Sequence, residues 1–401
     1  MEGLVRRERY LGRLESGRGL KDVVKVVTGM RRAGKSTLLK MYMDDLRNDG
    51  VSDGDIVYIN FESFEYQDIA DSKQLNPILK DLIGDSGDRY VFLDEIQNVE
   101  GWERSVSALT LTERCDVYIT GSNSRMLSSE LATHISGRYI EVPVLPLSFS
   151  EYLEMHPGDR TARFAEYLRF GGLPEVDPAR GEELCDSQLD GVFNTVVVKD
   201  IMGRLKRGDA RALTAIARFL YSNIGNETNV DLIAERLHMG NDTVKKYVTM
   251  LTDAFLFYEA ERYDIVGKRL LSTNGKFYAS DLGVRRAALR GAGGADISRP
   301  LENVVFLELV RRGYEVRIGS YRDREVDFTA TRDGRTEYYQ VCQSMLSEDT
   351  RERELRSLSA IRDNFPKVVL TLDTLGLGSH EGIEIRNVLD WLLLERGVRS
   401  R

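Results

Sequence analysis

Short apolar runs alternate with amphipathic segments over the first 150 residues. The runs are rich in β-branched and aromatic residues, as buried strands are, and they lie at 23–27, 56–59, 90–93, 117–120 and 139–142. Between them, segments such as 36–46 and 104–112 have the spacing of helices. Alternation of strands and helices is typical of a parallel sheet covered by helices, so we predict a five-stranded α/β domain.

The pattern changes near residue 146. Residues 146–208 have helical periodicity, and residues 209–285 predict several helices followed by a short hairpin. A Gly/Ala stretch at 290–295 is typical of a linker or mobile loop. Beyond it the predicted helices and strands alternate again, which indicates a second, smaller α/β domain.

Composition narrows the class of protein. A chain of 401 residues, with 42% hydrophobic and 30% charged residues, has the size of two or three domains and is neither fibrous nor disordered. The net charge of −8 argues against a protein that coats nucleic acid through bulk positive charge. Three widely spaced cysteines (Cys115, Cys185 and Cys342) and four histidines fit neither a disulfide framework nor a zinc site. Because the chain has no long apolar run and a charged start, we expect a soluble, cytoplasmic protein without a membrane segment.

The most specific motif follows the first predicted strand and opens a predicted helix. It matches the P-loop pattern at every defined position and comprises Gly29, Met30, Arg31, Arg32, Ala33, Gly34, Lys35 and Ser36, with Thr37 next in the chain. Glycines let backbone N–H groups wrap phosphates, and the helix start adds partial positive charge. We expect this loop to bind ATP, with Lys35 reaching the β and γ phosphates and Ser36 binding Mg²⁺.

Two carboxylates, Asp94 and Glu95, end the third predicted strand. Such a strand places both at the carboxyl edge of the sheet, beside the P-loop. We expect Asp94 to hold the Mg²⁺ shell and Glu95 to orient and deprotonate the attacking water. A kinase does not need the second carboxylate, so the pair favours hydrolysis over transfer to a substrate.

Polar residues also follow the fourth predicted strand and precede the fifth. Ser122 and Asn123 can hold the water or sense the γ-phosphate, although the same residues are ordinary in turns. Arg138 stands just before the fifth strand, where an arginine can reach a neighbouring subunit's nucleotide and stabilise transition-state charge. A surface salt bridge is the alternative role of Arg138.

The ordered set of these motifs resembles an AAA+-type family of prokaryotic ATP-binding proteins that carry a C-terminal domain of unknown function. The likeness covers nearly the whole chain. Beyond the P-loop it rests on segments 93–95, 120–123, 137–138, 146–149, 167–174, 276–283, 301–303 and 325–328, together with Asp200.

This resemblance implies four parts: an ATPase core at 1–145, a helical lid and connector at 146–208, a winged helix at 209–285 and a nuclease-like α/β domain at 286–401. It also implies roles for single residues. Ser122 or Asn123 would be the first sensor, and Arg138 an arginine finger. Pro174, within Gly-Leu-Pro at 172–174, would line the adenine side. A finger that acts in trans implies a homo-oligomeric ring, for which a hexamer is one possible size.

Residues 229–251 suit a helix-turn-helix independently of the resemblance. Asp231 begins a predicted helix, and Asn241 or Asp242 caps a second one. The outer face of the second helix offers Lys245 and Lys246, which makes DNA contact through its start a reasonable hypothesis. Residues 210–262 nevertheless hold six Lys/Arg against seven Asp/Glu, so a protein interface or plain packing stays open.

The C-terminal domain has part of a restriction-type nuclease pattern. Glu302 and Asp327 fit its first two acidic positions, but Gln340 and Cys342 stand where a Glu-x-Lys is needed. Gln is not an anionic ligand for a hard cation, and Cys cannot replace the Lys. We predict a nuclease-like scaffold without nuclease activity.

Three functions follow from these motifs. The leading hypothesis is an oligomeric, Mg²⁺-dependent ATPase that couples ATP to DNA binding or remodelling, with branched or forked DNA as one candidate substrate. The alternative is a nucleotide-dependent switch or scaffold for protein partners. An ATP-dependent nuclease comes third.

Overall fold

The computed structural model describes residues 4–85, 87–127, 137–205, 208–290 and 297–394. The chain divides into two compact units. The first unit comprises residues 1–146 and 253–255, and the second comprises residues 147–252 and 256–401. None of the helices within the described ranges has the length and apolar character needed to cross a membrane. The Gly/Ala stretch predicted as a linker falls mostly outside the described residues.

The first unit is a five-stranded parallel sheet with helices. Its strands are β1 (Val24–Thr28), β2 (Ile56–Asn60), β3 (Arg89–Asp94), β4 (Cys115–Gly121) and β5 (Tyr139–Pro143). Its helices are α1 (Glu8–Ser16), α2 (Lys35–Asn48), α3 (Ser72–Ile83) and α4 (Trp102–Thr110). The strand order is β2-β3-β4-β1-β5, and every neighbouring pair is parallel. The predicted α/β core is confirmed.

Burial explains why these runs form central strands. Every residue of β1 and β4 is buried, as expected for strands covered by helices on both faces. The order also places the carboxyl ends of β1, β4, β3 and β2 in one row. The loops that follow these strands therefore meet at a single edge of the sheet.

The opposite edge of this sheet contains a buried ion pair. The Lys25 ammonium contacts Asp116 and donates hydrogen bonds to the Leu20 and Val23 carbonyls at 3.0 Å each. Burial lowers the pKa of Lys25, and the attraction of Asp116 opposes that shift. The Tyr118 hydroxyl donates to the same carboxylate at 3.1 Å. These contacts connect β1 to β4 at the end of the sheet that lies away from the P-loop.

The second unit begins with helices and continues into a large sheet. Its helices are α5 (Phe149–Met155), α6 (Arg160–Phe170), α7 (Glu182–Asn194), α8 (Ala210–Ser222), α9 (Val230–Leu237), α10 (Asn241–Asp253), α11 (Leu282–Ala288), α12 (Ser298–Arg311), α13 (Glu348–Ser359) and α14 (Val388–Leu393). Its strands are β6 (Glu227–Thr228), β7 (Phe257–Asp264), β8 (Arg269–Ala279), β9 (Glu315–Tyr321), β10 (Arg324–Arg332), β11 (Arg335–Cys342), β12 (Lys367–Thr371), β13 (Gly378–His380) and β14 (Ile383–Asn387).

One sheet runs through the hairpin and the C-terminal strands of this unit. The order is β13-β14-β12-β11-β10-β9-β7-β8-β6, and the parallel pairing of β7 with β9 joins the two regions. The predicted domain boundary between residues 285 and 286 thus lies between β8 and β9, and these two strands belong to the same sheet. The elements from α8 to β8 have the order that a winged helix requires, and that assignment and the domain boundaries stay predictions.

Candidate nucleotide site

The P-loop connects β1 to α2 at the carboxyl edge of the first sheet. Gly29 has a φ of 141°, and a Cβ atom built on it would lie 2.1 Å from the Val144 carbonyl oxygen. Any side chain at this position would therefore displace the segment that follows β5. α2 begins directly after Gly34, so its first N–H groups point into the loop. Met30 and Ala33 are buried beneath the loop, and Arg32 is exposed.

Lys35 is held inside the P-loop. Its side chain is only 3% exposed, and its ammonium donates to the Gly29 and Met30 carbonyls at 3.1 Å each. The ammonium also lies 3.5 Å from the Glu95 carboxylate. The predicted phosphate-binding lysine and the predicted general base are therefore direct neighbours.

Asp94 is the centre of a buried hydrogen-bond cluster. One carboxylate oxygen accepts bonds from Ser36 Oγ at 3.1 Å and Thr120 Oγ1 at 2.6 Å. The other accepts from the Tyr58 hydroxyl at 2.8 Å and from Asn60 Nδ2 at 3.3 Å. Burial, and next the charge of Asp94, raise the pKa of Tyr58, so its hydroxyl stays a donor. The two predicted metal residues, Ser36 and Asp94, are in contact.

Glu95 has a left-handed backbone, with φ 57°, directly after β3. Its N–H donates to Thr120 Oγ1 at 2.8 Å, and Gln97 Nε2 donates to its carboxylate at 2.5 Å. Gln97 Nε2 also lies 3.5 Å from Ser122 Oγ. The turn after β3 and the turn after β4 are thereby connected, and both Ser122 and Asn123 are buried there.

Several residues of this site were not predicted. Tyr58 and Asn60 lie at the end of β2, and their role depends on β2 being next to β3. Arg7 is buried before α1 and donates to the Ala33 carbonyl at 3.1 Å and to the Leu145 carbonyl at 3.0 Å. It thus connects the tip of the P-loop to the segment after β5. A single arginine in a charged N-terminal segment carries no signal of that role in the sequence.

Of the other predicted site residues, Arg138 lies in the first unit and Pro174 in the second. Arg138 precedes β5, and its carbonyl accepts from Val24 N–H at the amino end of β1, so it lies at the edge of the sheet opposite the P-loop. Its side chain is about half exposed and lies 3.9 Å from Asp22. Pro174 belongs to the second unit, after α6.

Two remaining residues of the predicted nucleotide site lie at the P-loop. Arg31 pairs with Glu62 at 3.1 Å, and Thr37 lies in the first turn of α2.

The Gly-Leu-Pro segment that contains Pro174 is fixed by a second motif in its own unit. The Gly172 N–H donates to the Asp281 carboxylate at 2.7 Å, and a Cβ atom on Gly283 would lie 2.0 Å from the Phe170 carbonyl oxygen. Burial raises the pKa of Asp281 to about 6, although it accepts bonds from the Gly172 and Val284 N–H groups. Residues 170–172 and 281–283 are distant in sequence, yet they pack in close contact with each other.

Glu302, one of the two acidic positions predicted from the nuclease pattern, lies beside a buried lysine. Glu302 on α12 lies 3.3 Å from the Lys276 ammonium of β8, and Glu325 on β10 lies 2.7 Å from it. The Tyr278 hydroxyl donates to Glu302 at 2.6 Å. Burial works against protonation of Lys276, yet the two carboxylates raise its pKa.

Asp327 lies beside this lysine cluster, on β10. Its carboxylate accepts from Val341 N–H at 2.8 Å, and burial, followed by the charge of Glu302, raises its pKa. Gln340 Oε1 accepts from the Asp327 N–H at 3.3 Å. Burial raises the pKa of the Cys342 thiol to about 12. Within the ranges that the structure describes, no three His, Cys, Asp or Glu side chains are grouped to hold a metal ion.

Comparisons with known proteins agree with this geometry. The family model described as an AAA domain matches residues 21–153, and a model described as a domain of unknown function matches residues 161–294. An uncharacterised protein of Haemophilus influenzae is 40% identical over 98% of this chain and 99% of its own length. An uncharacterised protein of Methanocaldococcus jannaschii is 30% identical over 88% of this chain and 81% of its own length.

Two solved structures overlap with the chain more loosely. Cdc6p of Pyrobaculum aerophilum is 12% identical and the Orc1 protein of Aeropyrum pernix, solved in complex with DNA, is 14% identical. Each has a TM-score of 0.33 and covers 72% of this chain and 93% of its own. Likeness at this level carries no argument about ligands or partners. The AAA-domain match, the full-length relative and the P-loop geometry together show that the chain belongs to the family of P-loop proteins with an AAA domain.

Proposed function

We propose that this protein binds ATP with Mg²⁺ and hydrolyses it at the P-loop. The observation that carries the proposal is the contact between the Ser36 hydroxyl and the buried Asp94 carboxylate, beside Lys35 and Glu95. Magnesium prefers hard oxygen ligands and keeps several waters, so one hydroxyl and one carboxylate, with phosphate oxygens, fit its needs. When bound, Mg²⁺ supplies positive charge to the β and γ phosphates.

The P-loop and Lys35 bind and orient the phosphates. The Lys35 ammonium lies 3.5 Å from the Glu95 carboxylate. Phosphate oxygens are anionic as that carboxylate is, so they compete with it for the ammonium. ATP binding therefore releases the Glu95 carboxylate toward the attacking water. Glu95 accepts the water proton, the water oxygen bonds to the γ phosphorus, and the bond to the β–γ bridging oxygen breaks to leave ADP. Gln97 orients Glu95, and Ser122 or Asn123 senses the γ-phosphate.

Two substitutions test this proposal. Lys35→Ala removes phosphate binding, so both ATP affinity and turnover should be lost. Glu95→Gln keeps the shape and the hydrogen bond from Gln97, so it should bind ATP normally while turnover falls by about 100-fold or more. Measurement of nucleotide affinity and of phosphate release on the same samples separates the two effects. Steady turnover in Glu95→Gln would remove it as the base.

Arg138 is the proposed arginine finger of a homo-oligomeric ring. Its position at the opposite edge of its own sheet supports action on a neighbouring subunit rather than on its own P-loop. Arg138→Ala should bind ATP but hydrolyse it slowly. When mixed into Lys35→Ala protein, it should recover turnover at mixed interfaces that combine an intact P-loop with an intact finger. Normal turnover of Arg138→Ala alone would contradict the assignment.

ATP hydrolysis is coupled to DNA through α10 in the leading version of the proposal. Val244, Tyr247 and Val248 are buried, whereas Lys245 and Lys246 are exposed, so the helix has one packed face and one exposed face that carries both lysines. DNA should raise the ATPase rate, most strongly for forked DNA, and Lys245→Glu/Lys246→Glu should abolish that increase while preserving the basal rate. A rate that does not respond to single-stranded, duplex or forked DNA favours the nucleotide-dependent switch or scaffold instead.

A further inference from the structure

A cavity of about 600 Å³ lies entirely within the second unit. It is bordered by α6, α11, the residues around the start of α12, the loop after β12 and the start of α14. Its volume is in the range of about 300–1,000 Å³ that is usual for sites that bind small molecules. No part of the proposed ATP or DNA chemistry uses this cavity.

The wall of the cavity is mostly apolar. Its main apolar side chains are Phe164, Leu168, Leu282, Pro300, Leu372 and Leu389. Phe164, Leu282 and Leu389 are buried side chains of α6, α11 and α14, so helices of the fold form this part of the wall. Such a surface favours the apolar body of a ligand, because burial of that body removes it from water.

Four arginines complete the lining: Arg160, Arg169, Arg285 and Arg286. Of the described residues that line the cavity, none is Asp or Glu. The chain as a whole has a net charge of −8, so the described lining, with four guanidinium groups and no carboxylate, differs strongly from the average composition of the chain. Guanidinium groups bind carboxylates, sulfonates and phosphates through several N–H donors at once.

The counter-charges of these arginines lie outside the lining. Arg160 contacts Asp390, Arg169 contacts Glu182, and Arg286 pairs with Glu182 at 2.7 Å and with Asp186 at 2.8 Å. The first two ion pairs are about half exposed, and exposed ion pairs contribute little free energy. An anion within the cavity can therefore compete for Arg160 and Arg169 at small cost. Arg285 donates through Nε to the Tyr221 carbonyl at 2.9 Å, which fixes its position.

We propose that this cavity binds a small amphipathic anion, that is, a molecule with an apolar body and a single acidic group. The apolar wall takes the body, and the arginines at its rim bind the acidic group. This proposal does not depend on ATP hydrolysis or on DNA contact.

The first test compares three probes on the full-length chain by isothermal titration calorimetry. Dodecanoate has both the apolar body and the charge, dodecanol has the body alone, and inorganic phosphate has the charge alone. Dodecanoate should bind saturably at one site, and dodecanol about tenfold more weakly. Equal affinity for dodecanoate and dodecanol, equal affinity for phosphate, or no saturable binding of dodecanoate would overturn the proposal.

The second test uses matched variants of α6. Ala165 lines the cavity, so Ala165→Trp should fill it and weaken dodecanoate binding by about tenfold or more. Ala162→Trp, on the same helix but outside the lining, is the control and should bind as wild type does. Arg169→Gln should weaken dodecanoate but not dodecanol, whereas Arg180→Gln, an exposed arginine outside the lining, should change neither. An unchanged thermal midpoint in Ala165→Trp shows that its loss of binding is not unfolding, and unchanged binding in that variant contradicts the proposed location.

Discussion

Each compact unit holds a buried lysine beside carboxylates, yet the two groups are arranged differently. In the first unit, Lys35 donates to two backbone carbonyls and lies 3.5 Å from Glu95, while neutral groups such as the Thr120 hydroxyl hold Asp94. In the second unit, the Lys276 ammonium itself lies between Glu302 and Glu325. The same residue types therefore form two different electrostatic arrangements.

The two groups differ in whether a lysine ammonium neutralises the charge of the carboxylates. Hydroxyl and amide donors satisfy the lone pairs of a buried carboxylate without removing its charge, so Asp94 retains attraction for a cation. An ammonium between two carboxylates removes most of that attraction and connects the elements that carry them. We conclude that the first group is suited to bind a ligand, whereas the second holds β8, β10 and α12 together.

The largest predicted effect concerns the lysine of the second unit. Lys276→Met leaves Glu302 and Glu325 without their partner, and loss of one member of a buried ion pair costs about 3–5 kcal/mol. Urea unfolding of the variant should show that loss, and Lys276→Arg, which keeps the charge, should recover part of it. A variant as stable as wild type would mean that Lys276 does not hold the cluster.

The same comparison predicts no nuclease activity. Wild-type protein with Mg²⁺ or Mn²⁺ should leave duplex and forked DNA uncut, since Lys276 already neutralises the carboxylates that a metal would need. Metal-dependent cleavage that disappears in Asp327→Ala would break the comparison between the two units.

Asp281 sharpens the comparison because it is a buried carboxylate whose donors are the backbone N–H groups of Gly172 and Val284. Its pKa of about 6 is above its ordinary value of 3.8, so the folded state binds its proton more tightly than the unfolded state does. This tighter proton binding adds about 3 kcal/mol to the free energy of unfolding. The contribution is fully present below about pH 4 and is lost as the pH rises through about 6. In urea unfolding from pH 4 to 8, the stability of wild type relative to Asp281→Asn should fall by this amount, because other buried carboxylates such as Asp327 titrate alike in both proteins. A constant difference between them would contradict it.

The smallest predicted effect separates the charge of Asp94 from the hydrogen bonds that one of its oxygens accepts from Ser36 and Thr120. Asp94→Asn can still accept bonds from Thr120 and Ser36, but it carries no charge for Mg²⁺, so ATP turnover should fall by about 100-fold. Tyr58→Phe removes one neutral donor and keeps the charge, so its turnover should stay within a few-fold of wild type. Titration of the ATPase rate with Mg²⁺ measures both. Equal losses in the two variants would mean that the hydrogen bonds, not the charge, matter.

Local sequence was sufficient for the core strands and for nominating the main residues of the candidate nucleotide site. The P-loop, Asp94 and Glu95 each follow a short apolar strand, and parallel strands bring their carboxyl ends to one edge. The helix α10 was also predictable, because its buried face repeats at helical spacing. In these cases a pattern within about ten residues determines both the element and the side that it buries.

What the sequence by itself determined is therefore the strands, the helices and the position of the P-loop, since these depend on residues that are close in the chain. Only the tertiary structure decided which distant residues meet. It placed Tyr58 and Asn60 on Asp94, Arg7 on the P-loop carbonyl, and Lys276 between Glu302 and Glu325. The physical reason is that strand order, the β7–β9 pairing and the burial of charged groups arise from packing between elements, which leaves no local periodicity in the sequence.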